Sequence, residues 1–529
     1  MTYLAGPDRA VLRTTRATGW TLALLLALTL PAGCASIDFD HPKTETAAFD
    51  ATGDTYYGRM LSDLVASKPP GQSGFYPLPD GIESLAARIV TASHAERSID
   101  LQYYLIKSDV TSAALINELL KAADRGVRVR LLLDDIFTAG TDYGMAGLDS
   151  HPNFEIRIFN PFYRGVAGRA FSGLTNFGRI NRRMHNKSFT VDNQVTIVGG
   201  RNIADEYFGA REDAKFGDMD VLGIGPVVND VSTMFDTYWN HSTALPVPAF
   251  ADMPDNPAAE LERVRRSLEN ARSAIIESEY ANAVRDQAFQ LENMAEGALT
   301  WAPYQLVYDS PDKGIRGKAE AAASITTPLY ESLSRAKDRA IVISPYFVPR
   351  KSGVEGLSAL QQRGVDVTII TNSLAANNQF TVHGGYAPSR KPLLDNGIKI
   401  YEVRPDADVA GAEIVAASGA KATLHTKVFV VDEQELFIGS FNFDPRSANI
   451  NTESGVIIYS PDLARQFVEG VDAALGQQTY ELFLNDAGKL RWRSRRDGEL
   501  EVLTKEPQTT WGQRFVAGLV RFLPIRGQL

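Results

Sequence analysis

The chain repeats itself. The tripeptide Arg-Gly-Val occurs at Arg125 and again at Arg363, 238 positions on, and a longer histidine motif recurs after 240 positions. Two independent landmarks at nearly one offset mean that two segments share one fold, so what one half adopts the other must adopt as well. In the first half, residues 82–95 have helical periodicity, 98–106 read as a strand with Tyr103 and Tyr104, 112–125 as a helix stopped by Gly126, and 127–133 as an apolar strand. The second half repeats this with 328–336, 340–348 carrying Tyr346 and Phe347, 353–363 stopped by Gly364, and 365–371. Strands alternating with helices at this spacing give α/β halves, each a mixed β-sheet flanked by helices. One motif per copy predicts a pseudo-twofold relation, with both motifs facing one cleft.

The motif is His185-x-Lys187-x4-Asp192-x6-Gly199-Gly200-x-Asn202 in the first half and His425-x-Lys427-x4-Asp432-x6-Gly439-Ser440-x-Asn442 in the second. Each reads as a β-hairpin. A spacing of two puts the histidine and lysine on one face of a strand. Asp192-Asn193 and Asp432-Glu433 supply the turns, and the small pairs Gly199-Gly200 and Gly439-Ser440 let backbone approach a substrate. A single His-x-Lys pair carries no information. Two of only seven histidines in one five-element pattern, at matching places of a duplicated fold, mark a functional site.

The motif pair and its duplication resemble the phospholipase D superfamily with two His-Lys-Asp motifs, over roughly residues 75–485. The resemblance implies phosphodiester chemistry through a covalent phosphohistidine, without a metal ion or other cofactor. Lys187 and Lys427 would neutralise the phosphoryl oxygens, and Asn202 and Asn442 would donate hydrogen bonds to them. One imidazole would attack phosphorus; the other would protonate the leaving alcohol and then deprotonate the incoming one. On spacing alone either histidine fits either role, and the resemblance makes His185 the nucleophile and His425 the acid/base. An attacking imidazole needs a carboxylate on its other nitrogen. Aligning the halves at the proline that ends the following strand, Pro226 against Pro461, sets Asp218 opposite Glu453, each eight residues before its proline. These are the expected orienting carboxylates, with Asp220 as second choice. Asp192 and Asp432 complete the catalytic motif and are expected to hold its turns.

Flanking stretches narrow the resemblance. Residues 199–209 (GGRNIADEYFG), 218–228, 442–456 and 371–376, the last followed by His383-Gly-Gly-Tyr386, look like the bacterial cardiolipin synthases of the C type. That likeness implies a phosphatidyltransferase whose partners are phosphatidylglycerol, with phosphatidylethanolamine as a further lipid, and a membrane surface. Glu206 and Arg446 fall within the matched stretches and are expected to contact substrate or brace the loops, beside Gly200 and Ser440, whose small size lets substrate approach; the acceptor lipid is placed near His383 and Tyr386, for which packing is the competing role. A lipid hydrolase, with water resolving the intermediate, would use the same residues. A nuclease is the third reading, and a net charge of −10 tells against nucleic acid as a partner.

The ends carry other signals. Arg9, Arg13 and Arg16 precede an apolar run at residues 20–30, too short to span a bilayer, which needs about 20 residues. Small residues then lead to Cys34, the only cysteine, as in a bacterial lipobox, although Pro31 stands where leucine is usual. An uncleaved anchor is the other reading. The expected location is the bacterial cell envelope, membrane-attached on the periplasmic side, as a lipoprotein acylated at Cys34. The expected divisions are a signal peptide and lipobox (1–34), a linker (35–75), a first phospholipase D-like domain (76–245), a proline-rich linker and helical connector (246–300), a second such domain (301–485) and a C-terminal extension (486–529). Residues 258–290 read as an amphipathic helix packed across the domain junction. In the extension, Trp511, Phe515, Leu519, Phe522 and Leu523 share a helical face, and residues 489–496 are a basic cluster around Trp492. Together they would seat the chain on an anionic bilayer, or the helix would dock on the fold.

Overall fold

Both halves use one strand order. The computed structural model describes residues 37–520, apart from 166–167, 170–171, 173–175, 212–213, 293–295, 317–322, 408–420 and 497. The leader with Cys34 and the last turn of the expected terminal helix lie outside the described residues. Moving inward across the first half, the strands are Ala244–Pro246, Phe154–Phe159, Arg128–Asp134, Ser98–Tyr103, Ser188–Val191, Val195–Gly199, Asp220–Ile224 and Gln72–Leu78. Moving outward across the second they are Thr300–Tyr308, Ser454–Tyr459, Glu435–Gly439, Val428–Val431, Arg339–Ile343, Asp366–Asn372, Lys399–Val403 and Thr479–Leu484. The second list is the first in reverse, with parallel pairs at the same places, so the halves are related by a pseudo-twofold axis.

One strand joins them. The start of Thr300–Tyr308 pairs with Gln72–Leu78, from Phe75 opposite Thr300 to Gln72 opposite Pro303. Its remainder, Tyr304 to Tyr308, pairs with Ser454–Tyr459. The result is one continuous sheet of 18 strands. A second seam forms where Ala214–Gly217 pairs in parallel with Lys421–Leu424, each just ahead of a site residue.

Local chemistry accounts for the repeated pieces. The helices Val110–Asp124 and Arg350–Gln362 are followed by Gly126 and Gly364, with φ of 97° and 95°, a left-handed position that glycine occupies without penalty. The helices Pro226–Trp239 and Pro461–Ala474 both begin on proline, whose missing N–H would be unpaired there in any case. The apolar faces of these two helices enter a single core with strands of both halves, including Val221, Val456 and Ile458. The opposite face of each half has its own core.

Several expectations change. The connector is two helices, Pro257–Ile275 and Glu279–Glu292, and they do not cross the junction. Leu261, Val264, Leu268 and Val284 pack on the outer core of the first half. Residues 246–257 do not begin as a free linker, since Ala244–Pro246 is the edge strand of the first half and Val247 and Phe250 are buried. Gln72–Leu78 belongs to the sheet and not to the preceding linker. The extension after 485 contributes the hairpin Leu490–Arg496 and Glu499–Leu503 to the second sheet. The basic cluster is therefore a strand: Trp492 is buried and donates to Glu402, and Arg493 pairs with Glu481. No described helix is long and apolar enough to cross a membrane.

Candidate active site

The histidine motifs lie just before their hairpins, not within them. The strands begin at Ser188 and Val428, and the backbone N–H of each histidine bonds across the molecule. His185 N–H donates to Thr452 O at 2.8 Å, and His425 N–H to Gly217 O at 2.7 Å. The acceptor residue in each case is the one preceding a carboxylate. Glu453 Oε2 lies 2.7 Å from His185 Nδ1, and Asp218 Oδ2 lies 2.5 Å from His425 Nδ1. Each imidazole is thus fixed by a carboxylate from the opposite half, a crossing that alignment of the halves does not display. With Nδ1–H donating to the carboxylate, Nε2 is left as the lone-pair nitrogen.

Both carboxylates are held in turn. Glu453 accepts from Ser440 Oγ at 2.5 Å and Ser447 Oγ at 2.8 Å, and its own N–H donates to Asp309, which pairs with buried Lys313 at 2.7 Å. Asp218 accepts the N–H of Met219, and a Cβ at Gly200 would overlap its carboxylate. Ser440 and Gly200 therefore serve the carboxylates. Asp220 makes no bond to a histidine; it pairs with buried Arg88 at 2.9 Å and accepts from Ser84.

Lys187 and Lys427 are buried beside the rings. Lys427 Nζ lies 2.7 Å from Nδ1 and 3.2 Å from Nε2 of His425. Near-equal distances to both nitrogens put it over the ring face, so the in-plane bond belongs to Asp218. Lys187 Nζ donates to His185 O at 2.6 Å. Burial lowers the four cationic groups. His185 falls to about 4, against the pull of Glu453 and with the push of Lys187, and His425 to about 3, with Lys427 adding to burial. Lys187 falls to about 7 and Lys427 to about 8 for the same first reason, partly offset by Glu453 and by Asp218 respectively. Burial works against charge on Glu453 and Asp218, yet the histidine and lysine beside each hold its carboxyl below the ordinary value. Each histidine also feels the lysine of the other half, so the six groups form one site.

Aromatic rings frame it. Tyr104 meets His185 edge-on at 4.9 Å; Tyr207 meets His425 edge-on at 5.0 Å, and Phe216 stacks on it at 5.5 Å. Tyr346 is edge-on to His425 at 6.5 Å. Tyr104 and Tyr346 reach the site because the strands expected at 98–106 and 340–348 stop at Tyr103 and Ile343. The sequence signal was available in the paired aromatics at one strand end in each half, but strand periodicity placed them in the sheet.

The other expected site residues are less central. Asp192 accepts from the N–H groups of Glu96, Arg97 and Ser98, and Asp432 from those of Lys337, Asp338 and Arg339. They tie each hairpin turn to the start of the neighbouring strand. Asn202 Nδ2 donates to Tyr207 Oη, and Asn442 sits buried beside the Ser447 turn. Glu206 pairs with Lys107, and Arg446 donates to Asn181 of the other half at 2.6 Å. His383 and Tyr386 are buried in a cluster with Arg390, Glu402 and Glu506 that holds the C-terminal extension, the packing role weighed against the acceptor-side one. Packing explains their burial.

A pseudo-symmetric α/β fold that brings two imidazole–carboxylate pairs and two lysines to one site defines a protein built for nucleophilic chemistry on an anion. Comparison with known proteins gives the family. The family model described as "Cardiolipin synthase, PLD-like domain" matches twice, at residues 89–239 and 329–474. The chain is 40% identical to cardiolipin synthase C of Escherichia coli strain K12 over 87% of this chain and 97% of that one. It is 26% identical to cardiolipin synthase 2 of Bacillus anthracis, over 78% of this chain and 66% of that one. The crystal structure of phosphatidylserine synthase from Haemophilus influenzae Rd KW20 shares the fold, with a TM-score of 0.55 at 13% identity, covering 89% of this chain and 100% of that one. The chain belongs to the cardiolipin synthase family of phospholipase D-like proteins.

Proposed function

We propose that the protein is a phosphatidyltransferase that makes cardiolipin from phosphatidylglycerol through a phosphohistidine. The observation that carries the reading is the pair of imidazoles held at Nδ1 by carboxylates from opposite halves, beside two lysines. His185 Nε2 attacks the phosphorus of a donor phospholipid, and the bond from phosphorus to the headgroup oxygen breaks. His425 gives that oxygen its proton, releasing glycerol, or ethanolamine where phosphatidylethanolamine is the donor. The headgroup hydroxyl of phosphatidylglycerol then gives its proton to His425 and attacks the phosphohistidine. The P–N bond breaks and cardiolipin leaves. Lys187 and Lys427 balance the charge on the phosphoryl oxygens. An alcohol held in line competes with bulk water because positioning gives it a high effective concentration.

The electrostatics of the site suit the first step. Both imidazoles are neutral at pH 7, as attack requires, and the negative charge of the arriving phosphodiester draws a proton to the partner ring. Membrane attachment through Cys34 on the periplasmic side accompanies this reading. If Cys34→Ser leaves fatty-acid labelling and membrane attachment unchanged, the anchor is of another kind.

The deciding experiment supplies phosphatidylglycerol, alone and with phosphatidylethanolamine, and identifies products by mass spectrometry. Cardiolipin with glycerol or ethanolamine is expected, and chelators are expected to leave the rate unchanged because the lysines supply the charge. Phosphatidic acid as the main product at high acceptor density would make the enzyme a hydrolase. Rapid acid-free quenching and peptide mapping should place the phosphatidyl adduct on His185; an adduct on His425 would reverse the two roles.

A further inference from the structure

The helix Trp511–Val520 turns its apolar side to water. Trp511, Phe515 and Leu519 recur every four residues on one stripe and are 71%, 55% and 52% exposed. The opposite side, where Ala517 is buried, packs on the helix Phe380–Tyr386. Trp511 and Phe515 stack on each other, with centroids 5.1 Å apart. The helix is nonetheless firmly held. Just before it, Glu506 accepts from Arg390 at 2.7 Å within a buried cluster, and Arg514 donates to Thr509 O. The fold fixes this helix and leaves its apolar face outward.

A run of contacts links the helix beneath that face to the catalytic site. That helix begins two residues after Asn378, which accepts from the hydroxyl of Tyr346, the ring edge-on to His425. In the first half Phe137, 51% exposed, packs edge-on to Tyr104, which packs edge-on to His185. Phe177 is exposed on the short helix Phe177–Ile180 leading to His185, beside Arg179 and Arg182. These two arginines donate to carbonyl and amide oxygens, and neither has a carboxylate in ion-pair reach among the described residues. Exposed aromatic and aliphatic side chains, with two half-buried arginines outside any ion pair among the described residues, complement an anionic lipid surface.

We propose that this apolar surface, made by the outward face of Trp511–Val520 with Phe137 and Phe177, docks on an anionic bilayer and presents the cleft to lipid headgroups. A headgroup then enters the site while its acyl chains stay in the membrane. The proposal rests on the lipid reading of the active site, and its test separates the two. The full-length enzyme and a Trp511→Ser, Phe515→Ser, Leu519→Ser variant are compared on phosphatidylglycerol vesicles and on short-chain phosphatidylglycerol below its aggregation concentration. KM on vesicles is expected to rise on the order of tenfold or more, with turnover of the dispersed lipid changed by less than about twofold. Separately, vesicles with brominated acyl chains should quench wild-type fluorescence more than that of Trp511→Phe, a readout that needs no catalysis and is blind to the N-terminal anchor. An inactive enzyme with Trp511-dependent quenching would sink the transferase and keep the docking face. Equal quenching in the two proteins, an unchanged vesicle KM, or a solution dimer that the triple variant dissolves would overturn the docking face. Should the triple variant lose turnover of dispersed lipid as well, its fold is damaged and the quenching comparison decides.

Discussion

Glu453 and Asp218 act on the ring of the opposite half, so a change at either carboxylate reads out on a distant motif. Glu453→Gln and Asp218→Asn remove the acceptor that fixes the tautomer and are expected to cost about 10²–10⁴-fold in kcat with little change in stability. His185→Asn and His425→Asn should each lose several orders of magnitude, since each ring serves both half-reactions. Steady-state rates on vesicle lipid check both. The lysines set the pH response. Their charge is needed to hold the phosphodiester, and burial drops Lys187 to about 7 and Lys427 to about 8. A base with a depressed pKa is charged below that value and neutral above it, so kcat/KM is expected to fall as pH rises from 7 to 8. The bound anion favours the ammonium form, so the corresponding fall in kcat should lie at higher pH. For the same reason, binding of inorganic phosphate at pH 7.5 should take up protons, seen as a calorimetric heat that varies with buffer ionisation enthalpy.

At the scale of elements, the two hairpins are positioned by their turns. Asp192 and Asn193, and Asp432 and Glu433, all have φ between 51° and 53°, a left-handed pair at each tip. The two aspartates each gather three backbone N–H groups at the start of the strand that the hairpin joins. Asp192→Ala leaves those donors without their acceptor and should destabilise the protein by about 1–3 kcal/mol, measured by urea denaturation. Its turnover per folded molecule should stay within about tenfold, because the carboxylate does not reach the histidines. A larger loss in the folded enzyme would put Asp192 in the chemistry. The ends of the strands matter equally: by leaving the ladder after Tyr103 and Ile343, the chain turns Tyr104 and Tyr346 toward the site.

At the scale of the whole molecule, the strand Thr300–Tyr308 is shared between the sheets, and one core holds side chains of both halves. Tyr238 Oη in the first half donates to Asp309 O in the second at 2.6 Å, and the Asp309 side chain in turn accepts the N–H of Glu453. Unfolding is therefore expected to be one transition, with activity and near-ultraviolet circular dichroism lost together. Tyr238→Phe should lower the midpoint by the loss of one buried bond, about 0.5–1.5 kcal/mol, and keep the transition single. Two separated calorimetric transitions would show halves that fold independently.

The sequence by itself determined the duplication, the α/β character of each half, and the His-Lys-Asp motifs, because each is local: a period, a helix stop at Gly126 or Gly364, a spacing of two. It also singled out Asp218 and Glu453, since symmetry between halves can be aligned in one dimension. Only the tertiary structure decided that these carboxylates cross to the opposite imidazole, because pairing across an axis depends on how the copies pack and not on what either contains. The same applies to His383 and Tyr386, packed in a buried ion-pair cluster with Glu506, 123 and 120 positions away. The helical face at Trp511 was legible as apolar. Its exposure was not, because a periodic pattern fixes which residues share a face, whereas what that face meets is settled by every other element of the fold.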